Sequence, residues 1–256
     1  IVIDWRNSSL RAGKASMASA TLKYGKAAFS WAMADELVAL SPFAGIEAIE
    51  LTSRDRVLTD KELVAVWRAA GSRAGSFGRI VRALILTGQR RDEVGGMARD
   101  ELAADLSTWS LPPSRVKNGR KVTTSHDVPL APAMRELIAS APDLGGRHVF
   151  PGLHDKPFAG WATMKEQLDR DSAVTGWHLH DLRRTVATGL QQMGVRLEVT
   201  EAILNHRSST RGGIVGVYQR FDWAAEKRAA LDAWAQHVEA IVEGREPAGN
   251  VVRLSA

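Results

Sequence analysis

Cysteine is absent from this chain of 256 residues, and its absence limits both the fold and the chemistry. Disulfides, zinc–cysteine sites and thiol nucleophiles are all excluded. No apolar run approaches the roughly 18 residues that a membrane-spanning helix needs, and no signal-peptide pattern is present. We therefore expect a cytoplasmic protein that does not enter a membrane.

Tyrosine is scarce as well, with only two residues, Tyr24 and Tyr218. Tyr24 lies among the apolar residues of a helical pattern, which favours a place in the core or at its edge. Tyr218 is followed by Gln219 and Arg220, so we expect its hydroxyl to reach water or a substrate.

The rest of the composition is typical of a folded protein, with 45% hydrophobic and 25% charged residues. The formal net charge of +5 suits a polyanionic partner such as DNA, but it does not identify one by itself. The length is sufficient for one large domain, or for one domain with a smaller helical unit.

Helical patterns dominate the sequence. Thr59 and Glu62 have the spacing of a capping box in front of an apolar stripe. Apolar residues recur at helical spacing, and glycine or proline follows several of these runs. The helices predicted in this way cover 17–40, 79–86, 182–193, 196–205 and 226–243.

One stretch has a different character. Residues 109–111 and 128–130 have strand composition, and Asn118-Gly119 between them is a strong signal for a hairpin turn. The sequence therefore predicts a mainly α-helical protein of the α+β class with a small antiparallel β-sheet. A polar link at 53–56 predicts a boundary between two units.

Two basic residues stand at turns where they could contact a phosphate. Arg90 follows a predicted helix end at Gly88, and Glu93 is placed to orient its guanidinium. Lys117 immediately precedes the hairpin turn, where it could donate a proton or contact a phosphate. Taken alone, each residue also has a purely structural explanation. Arg90 could belong to a surface Arg–Glu pair, and Lys117 could be an ordinary lysine of an edge strand.

A histidine and an arginine share one face near a predicted helix start. His180 and Arg183 are three residues apart, and a helix N-terminus favours an anion, so the pair is a candidate phosphate pocket. His178 and His180 could instead begin a metal site. No further residue falls at a spacing that would complete a metal site, so we expect no metal.

The order of these residues is more specific than any one of them. TGQRRDEV, the hairpin with KNG and VPL, HDLRRT, LNH and VYQR follow one another between Arg56 and Trp234. In this order they resemble the tyrosine recombinase (phage integrase) family, and most of all the integrases of prophages and genomic islands.

The resemblance assigns roles to particular residues. It implies that Tyr218 is the nucleophile and that five further residues are catalytic: Arg90, Lys117, His180, Arg183 and His206. The stretch from His206 to Tyr218 is longer than in the simplest members of the family and contains additional glycines.

The activity that the resemblance implies is site-specific integration, in which DNA strands are cleaved and rejoined through a 3′-phosphotyrosyl intermediate. The implied partner is double-stranded DNA at attachment sites. The protein would be a monomer in solution and a homotetramer in the synaptic complex, with accessory DNA-bending proteins. No cofactor is implied.

The resemblance also divides the chain. Residues 1–53 would be the C-terminal part of a helical core-binding domain whose first half lies outside this sequence, residues 54–244 the catalytic domain and residues 245–256 a flexible tail. The last helix would pack either on its own domain or on a neighbour. The alternatives are a type IB topoisomerase-like enzyme, a DNA-binding protein without catalysis, and a basic helical protein with a structural or interaction role.

Overall fold

The structure is a computed structural model that describes residues 1–51, 55–116, 124–206 and 222–246. The chain divides into two compact units, Ile1–Asp55 and Arg56–Ala256. Within the described ranges, no helix is both long enough and apolar enough to cross a membrane.

The first unit contains two helices, α1 (Val2–Arg11) and α2 (Ala15–Ala34). The predicted extension of the second helix to residue 40 is wrong. Glu36 has a φ of +56°, and the amide of Leu37 donates a 2.8 Å hydrogen bond to the Ala32 carbonyl. This local turn ends the helix before the proline does.

The position expected for Tyr24, in the core or at its edge, is also wrong, because its side chain is 72% exposed. Ala18 and Leu22 are the buried residues of α2. A residue two positions after Leu22 points to nearly the opposite side of a helix, since successive residues are turned by about 100°. Phe29 does contribute to packing, with its ring 5.5 Å from that of Phe43.

The second unit is mostly helical. Its helices begin with α3 and end with α10, and its two strands lie between α5 and α6. The bounds are α3 (Asp60–Gly71), α4 (Ser76–Thr87), α5 (Arg91–Gly95), β1 (Thr108–Leu111), β2 (His126–Pro129), α6 (Pro132–Ala139), α7 (Trp161–Ser172), α8 (Leu179–Gln192), α9 (Leu197–Ile203) and α10 (Ala224–Glu243).

The helix α4 forms the centre of this unit, with α3, α5, α6, α8 and α10 packed against it. From Phe77 to Thr87 nearly every side chain is buried, as expected for a helix covered on all sides. Trp234 of α10 is buried beside it and donates a 2.7 Å hydrogen bond from its indole nitrogen to the Ile85 carbonyl. The second unit therefore has one continuous core.

The two strands pair antiparallel, with Trp109 opposite Val128 and Leu111 opposite His126. The predicted fold class, mainly helical with a small antiparallel sheet, is confirmed. The predicted turn residues Lys117, Asn118 and Gly119 lie outside the described residues.

The predicted start of α3 is confirmed. The Thr59 hydroxyl accepts a 3.3 Å hydrogen bond from the Glu62 amide, and the Glu62 carboxylate accepts one of 2.9 Å from the Thr59 amide. Arg56 pairs with the same carboxylate and, as the largest cause, lowers the pKa of Glu62 to about 2. Contacts of Glu62 with Arg56 and Thr59 thus hold the start of α3.

Candidate active site

Four of the six predicted site residues are in the described part of the chain: Arg90, His180, Arg183 and His206. Lys117 and Tyr218 lie outside it. The four come from three places, the junction of α4 and α5, the first turns of α8, and the end of α9.

Gly88 makes the junction between α4 and α5. It has a φ of +63°, which glycine adopts without strain, and it ends α4 as predicted. A Cβ at this position would lie 3.0 Å from Val186 and 3.1 Å from Leu204, so α8 and the end of α9 pack closely against it. The turn places Arg90 directly before α5.

Arg90 is held by a buried carboxylate. Its Nη1 donates a 3.0 Å hydrogen bond to Oε1 of Glu93, and its backbone amide donates one of 3.2 Å to Oε2. Glu93 is almost fully buried, whereas Arg90 is partly exposed. The contact predicted between Glu93 and Arg90 is therefore present, and the burial of Glu93 distinguishes it from a surface pair.

Arg183 is buried in α8, with 6% of its surface exposed. Its Nη1 donates a 2.9 Å hydrogen bond to the Gly88 carbonyl, and its Nη2 donates one to the Leu204 carbonyl. Burial, with a smaller effect from Arg90, lowers the pKa of Arg183 to about 10. The guanidinium therefore remains charged at neutral pH.

The two arginines meet at the end of α9. Arg90 donates from Nη2 to the Asn205 carbonyl at 3.3 Å, and Arg183 contacts the preceding residue, Leu204. Asn205 has a φ of +46°, which turns the chain out of the helix. His206 follows as an exposed residue, and its amide donates a 2.9 Å hydrogen bond to the Glu201 carbonyl.

His180 lies in the first turn of α8, and the residue is exposed. Desolvation of part of the ring lowers its pKa from the ordinary value, and nearby Arg183 and Arg184 add to the effect. A neutral imidazole at neutral pH can accept a proton or donate a hydrogen bond.

His178 lies before α8, where its amide donates a 2.8 Å hydrogen bond to Asp181. Across the described ranges, no group of three or more His, Asp or Glu residues is arranged to hold a metal ion.

Two further polar residues belong to this region, and neither is predicted from the sequence. Gln89 and His126 are buried, and each donates to the Ile203 carbonyl, at 2.8 Å and 3.1 Å respectively. His126 could have been suspected because it shares the inward face of its strand with Val128. Gln89 has no comparable signal apart from its place beside Arg90.

The arrangement gathers positive charge at one place. Arg90 and Arg183 both donate to the end of α9, and Glu93 pairs with Arg90. His180 is in the same helix as Arg183, and His206 follows the turn that both arginines contact; both histidines are exposed. Such groups suit a tetrahedral phosphate, because guanidinium and imidazole donors can bind its oxygens at the same time.

The chain is similar to known proteins over most of its length. The family model described as the phage integrase family matches residues 56–219. Prophage integrase IntZ of Escherichia coli (strain K12) is 29% identical over 227 residues, which cover 84% of this chain and 54% of that protein. Prophage integrase IntA of the same strain is 29% identical over 163 residues, covering 62% of this chain and 38% of that protein. The chain thus spans about half, or less, of the length of these curated relatives.

Solved structures share the fold. A lambda integrase dimer bound to a COC′ core site has a TM-score of 0.65 and 18% identity, covering 82% of this chain and 78% of that chain. A lambda integrase tetramer bound to a Holliday junction has a TM-score of 0.64 and 18% identity, covering 82% and 64%. The Tn1549 transposon integrase in complex with circular intermediate DNA has a TM-score of 0.56 and 16% identity, covering 88% and 82%.

Proposed function

Because the chain belongs to the phage integrase family, we propose that it is a site-specific recombinase that cuts and rejoins DNA through a covalent bond to Tyr218. The observation that supports this most strongly is the meeting of Arg90 and Arg183 at the end of α9, beside His206. These residues come from distant parts of the sequence and have the chemistry that a phosphodiester requires.

In the proposed reaction the Tyr218 oxygen attacks the phosphorus of one DNA strand. The bond from phosphorus to the 5′-oxygen breaks, leaving a 3′-phosphotyrosyl link and a free 5′-hydroxyl. A 5′-hydroxyl of the partner strand then attacks the link, which releases the tyrosine and joins the strands. The number of phosphoester bonds is conserved, so neither ATP nor water is a reactant.

The positive groups would act on the charge that develops during attack. Arg90, Arg183 and His206 are proposed to donate hydrogen bonds to the nonbridging oxygens. By analogy with the removal of one donor from an oxyanion hole, the loss of one of them would cost about 3 kcal/mol. The bonds to Glu93, Gly88, Leu204 and Asn205 hold the guanidinium groups in place before DNA binds.

Two groups remain for proton transfer. Lys117 is proposed to protonate the departing 5′-oxygen. His180 is proposed to accept the tyrosine proton or to contact the phosphate, and its lowered pKa is consistent with the neutral form that accepts a proton.

The proposed partners are inferred from the integrase structures that share this fold. The lambda and Tn1549 integrases were solved with DNA, and one lambda complex is a tetramer on a Holliday junction. We propose that this chain likewise acts on double-stranded DNA in the bacterial cytoplasm, as a monomer that assembles into a tetramer at the site, with accessory DNA-bending proteins. Residues 1–53 would belong to the DNA clamp and 54–244 to the catalytic domain.

A strand-exchange assay tests the proposal against its rivals. Two labelled duplexes that carry the attachment site are incubated with the full-length protein in a metal chelator. Recombinant products are expected, because arginine and histidine supply the positive charge at the phosphate. Relaxation of supercoiled DNA without exchange would favour a type IB topoisomerase-like enzyme. Activity that is lost in chelator and restored by magnesium would overturn the metal-free reaction.

A further inference from the structure

The last carbonyl groups at the end of α9 are bonded by side chains from other parts of the second unit. The carbonyl groups in the last turn of a helix have no amide within the helix to donate a hydrogen bond to them. Here the three successive carbonyls of Ile203, Leu204 and Asn205 accept hydrogen bonds from four side chains: Gln89 and His126 to Ile203, Arg183 to Leu204, and Arg90 to Asn205. Two of these four are residues that the proposed reaction does not use.

The Ile203 carbonyl joins three segments of the site. Gln89 comes from the junction that carries Arg90, and His126 begins β2, the strand that follows the Lys117 segment. A carbonyl oxygen has two lone pairs, so it can accept from both side chains at once. His206 lies three residues beyond this carbonyl.

We propose that His126 is a positioning residue, which acts with Gln89 through the Ile203 carbonyl to fix the place of His206 at the phosphate. This inference rests on the proposed function. His126 has no direct part in the reaction, since its ring is buried with 8% of the residue exposed and its Nε2 is engaged with a backbone oxygen.

The protonation state of His126 suits a permanent contact. Burial lowers its pKa to about 4, with Lys227, Arg183 and Arg90 adding to the effect, so the ring is neutral at pH 7. A carbonyl oxygen can only accept, and therefore the single ring proton is on Nε2. A ring that does not titrate near neutral pH holds the end of α9 equally well across the working range.

The variants follow from the geometry. His126→Leu removes the donor. His126→Gln keeps an amide N–H close to the place of Nε2, so it is expected to retain the contact. Val128→Ala is the matched control, because Val128 is buried on the same face of β2 and its truncation loosens packing without removing a hydrogen bond to α9.

The first measurement is hydrogen–deuterium exchange at the amide of His206, which donates to the Glu201 carbonyl. His126→Leu is expected to accelerate exchange at this amide by about 3- to 10-fold, since a lost hydrogen bond of ordinary strength changes a local equilibrium by that order. His126→Gln and Val128→Ala are expected to leave it close to wild type. Unchanged exchange in His126→Leu would overturn the inference, whether or not the chain cleaves DNA.

The second measurement is the rate of covalent DNA attachment, with and without His206→Ala. His126→Leu alone is expected to slow attachment between about 10- and 100-fold, because small displacements of a catalytic group carry penalties of that size. In the His206→Ala background it is expected to have little further effect. An equal loss in both backgrounds would mean that His126 does not act through His206, which would also overturn the inference.

The two measurements separate this inference from the function on which it rests. A wild-type protein that binds DNA but forms no adduct would contradict the proposed function and, with it, the role of His126 in the reaction. An adduct from wild type together with normal rates in His126→Leu would contradict only the positioning role.

Discussion

Arg183 donates a hydrogen bond of 2.9 Å from Nη1 to the carbonyl oxygen of Gly88, the glycine that ends α4. The two residues are 95 positions apart in the sequence, and the same guanidinium also reaches Leu204. Arg183 therefore joins α8 to the two turns that carry Arg90 and His206. A guanidinium has five N–H donors, and these contacts use two of them.

Replacement of Arg183 by lysine is expected to damage both catalysis and folding. An ammonium keeps the charge but cannot match the planar fork that reaches two carbonyls. We expect Arg183→Lys to slow single-turnover cleavage by about 100-fold or more, as for the loss of one donor at a developing charge, and to lower Tm. Arg184→Lys, one residue further on, is the control and should change little. Cleavage by Arg183→Lys at the wild-type rate would show that the planar guanidinium of Arg183 is not needed.

Removal of the Glu93 carboxylate is expected to release Arg90. Glu93→Ala deletes the acceptor of both the Arg90 guanidinium and its backbone amide. We expect the cleavage rate to fall by about 10-fold or more, while the affinity for nonspecific DNA, measured by fluorescence anisotropy, stays close to wild type. Asp92→Asn is the exposed control in the same turn. A loss of DNA affinity that accounts for the whole loss of rate would argue against an orienting role.

A substitution at Gly189 tests the packing between α8 and α10. A Cβ at this position would lie 2.2 Å from the Trp234 ring, closer than van der Waals contact allows. Gly189→Ala is therefore expected to lower the free energy of unfolding by about 1–3 kcal/mol, the usual cost of overpacking. Urea denaturation measures this change. Ala187→Gly, on a less buried part of the same helix, provides a comparison that changes helix propensity without a clash. An unchanged midpoint in Gly189→Ala would contradict the close packing of Trp234 against Gly189.

Stability is expected to depend on pH through His126. Its pKa is about 4 in the folded protein against an ordinary value of 6.5, because burial and the charges of Lys227, Arg183 and Arg90 disfavour the protonated ring. Below pH 6.5 the unfolded chain gains a proton that the folded chain does not. The stability that depends on a neutral His126 ring is thus fully present above about pH 6.5, and it is lost as the pH falls towards 4. The difference between the two values corresponds to roughly 3 kcal/mol at most.

The variant His126→Gln isolates this contribution, because glutamine keeps a donor but does not titrate. The free energy of unfolding is measured by urea denaturation at several values between pH 4 and pH 8. Wild type should lose more stability than His126→Gln as the pH falls below 6.5, and the two curves should run parallel above it. Parallel curves over the whole range would show that the ring titrates normally in the folded protein.

Local signals in the sequence were sufficient for much of the second unit. The capping box at Thr59, the helix end at Gly88 and the small sheet each depend on neighbours within a few residues, and all are found in the structure. The early end of α2 was missed because a positive φ at Glu36 leaves no mark in the apolar pattern.

The motif order predicts Arg90, Arg183 and His206 as site residues but not the contacts around them. Arg90 and Arg183 bond to carbonyls far away in the chain, Asn205 and Gly88 respectively. Gln89 reaches Ile203 across 114 residues, and His126 reaches it across 77. Such contacts depend on how helices and strands pack, which periodicity does not specify.

The most direct test of the account is a covalent trap. Full-length wild-type protein and Tyr218→Phe are incubated with nicked duplexes that span the candidate attachment region, and DNA-linked protein is sought on a denaturing gel. We expect an adduct with the wild type and none with Tyr218→Phe, since the phenol oxygen of Tyr218 is the proposed nucleophile. An adduct that persists in Tyr218→Phe, or none from either protein despite tight DNA binding, would contradict it.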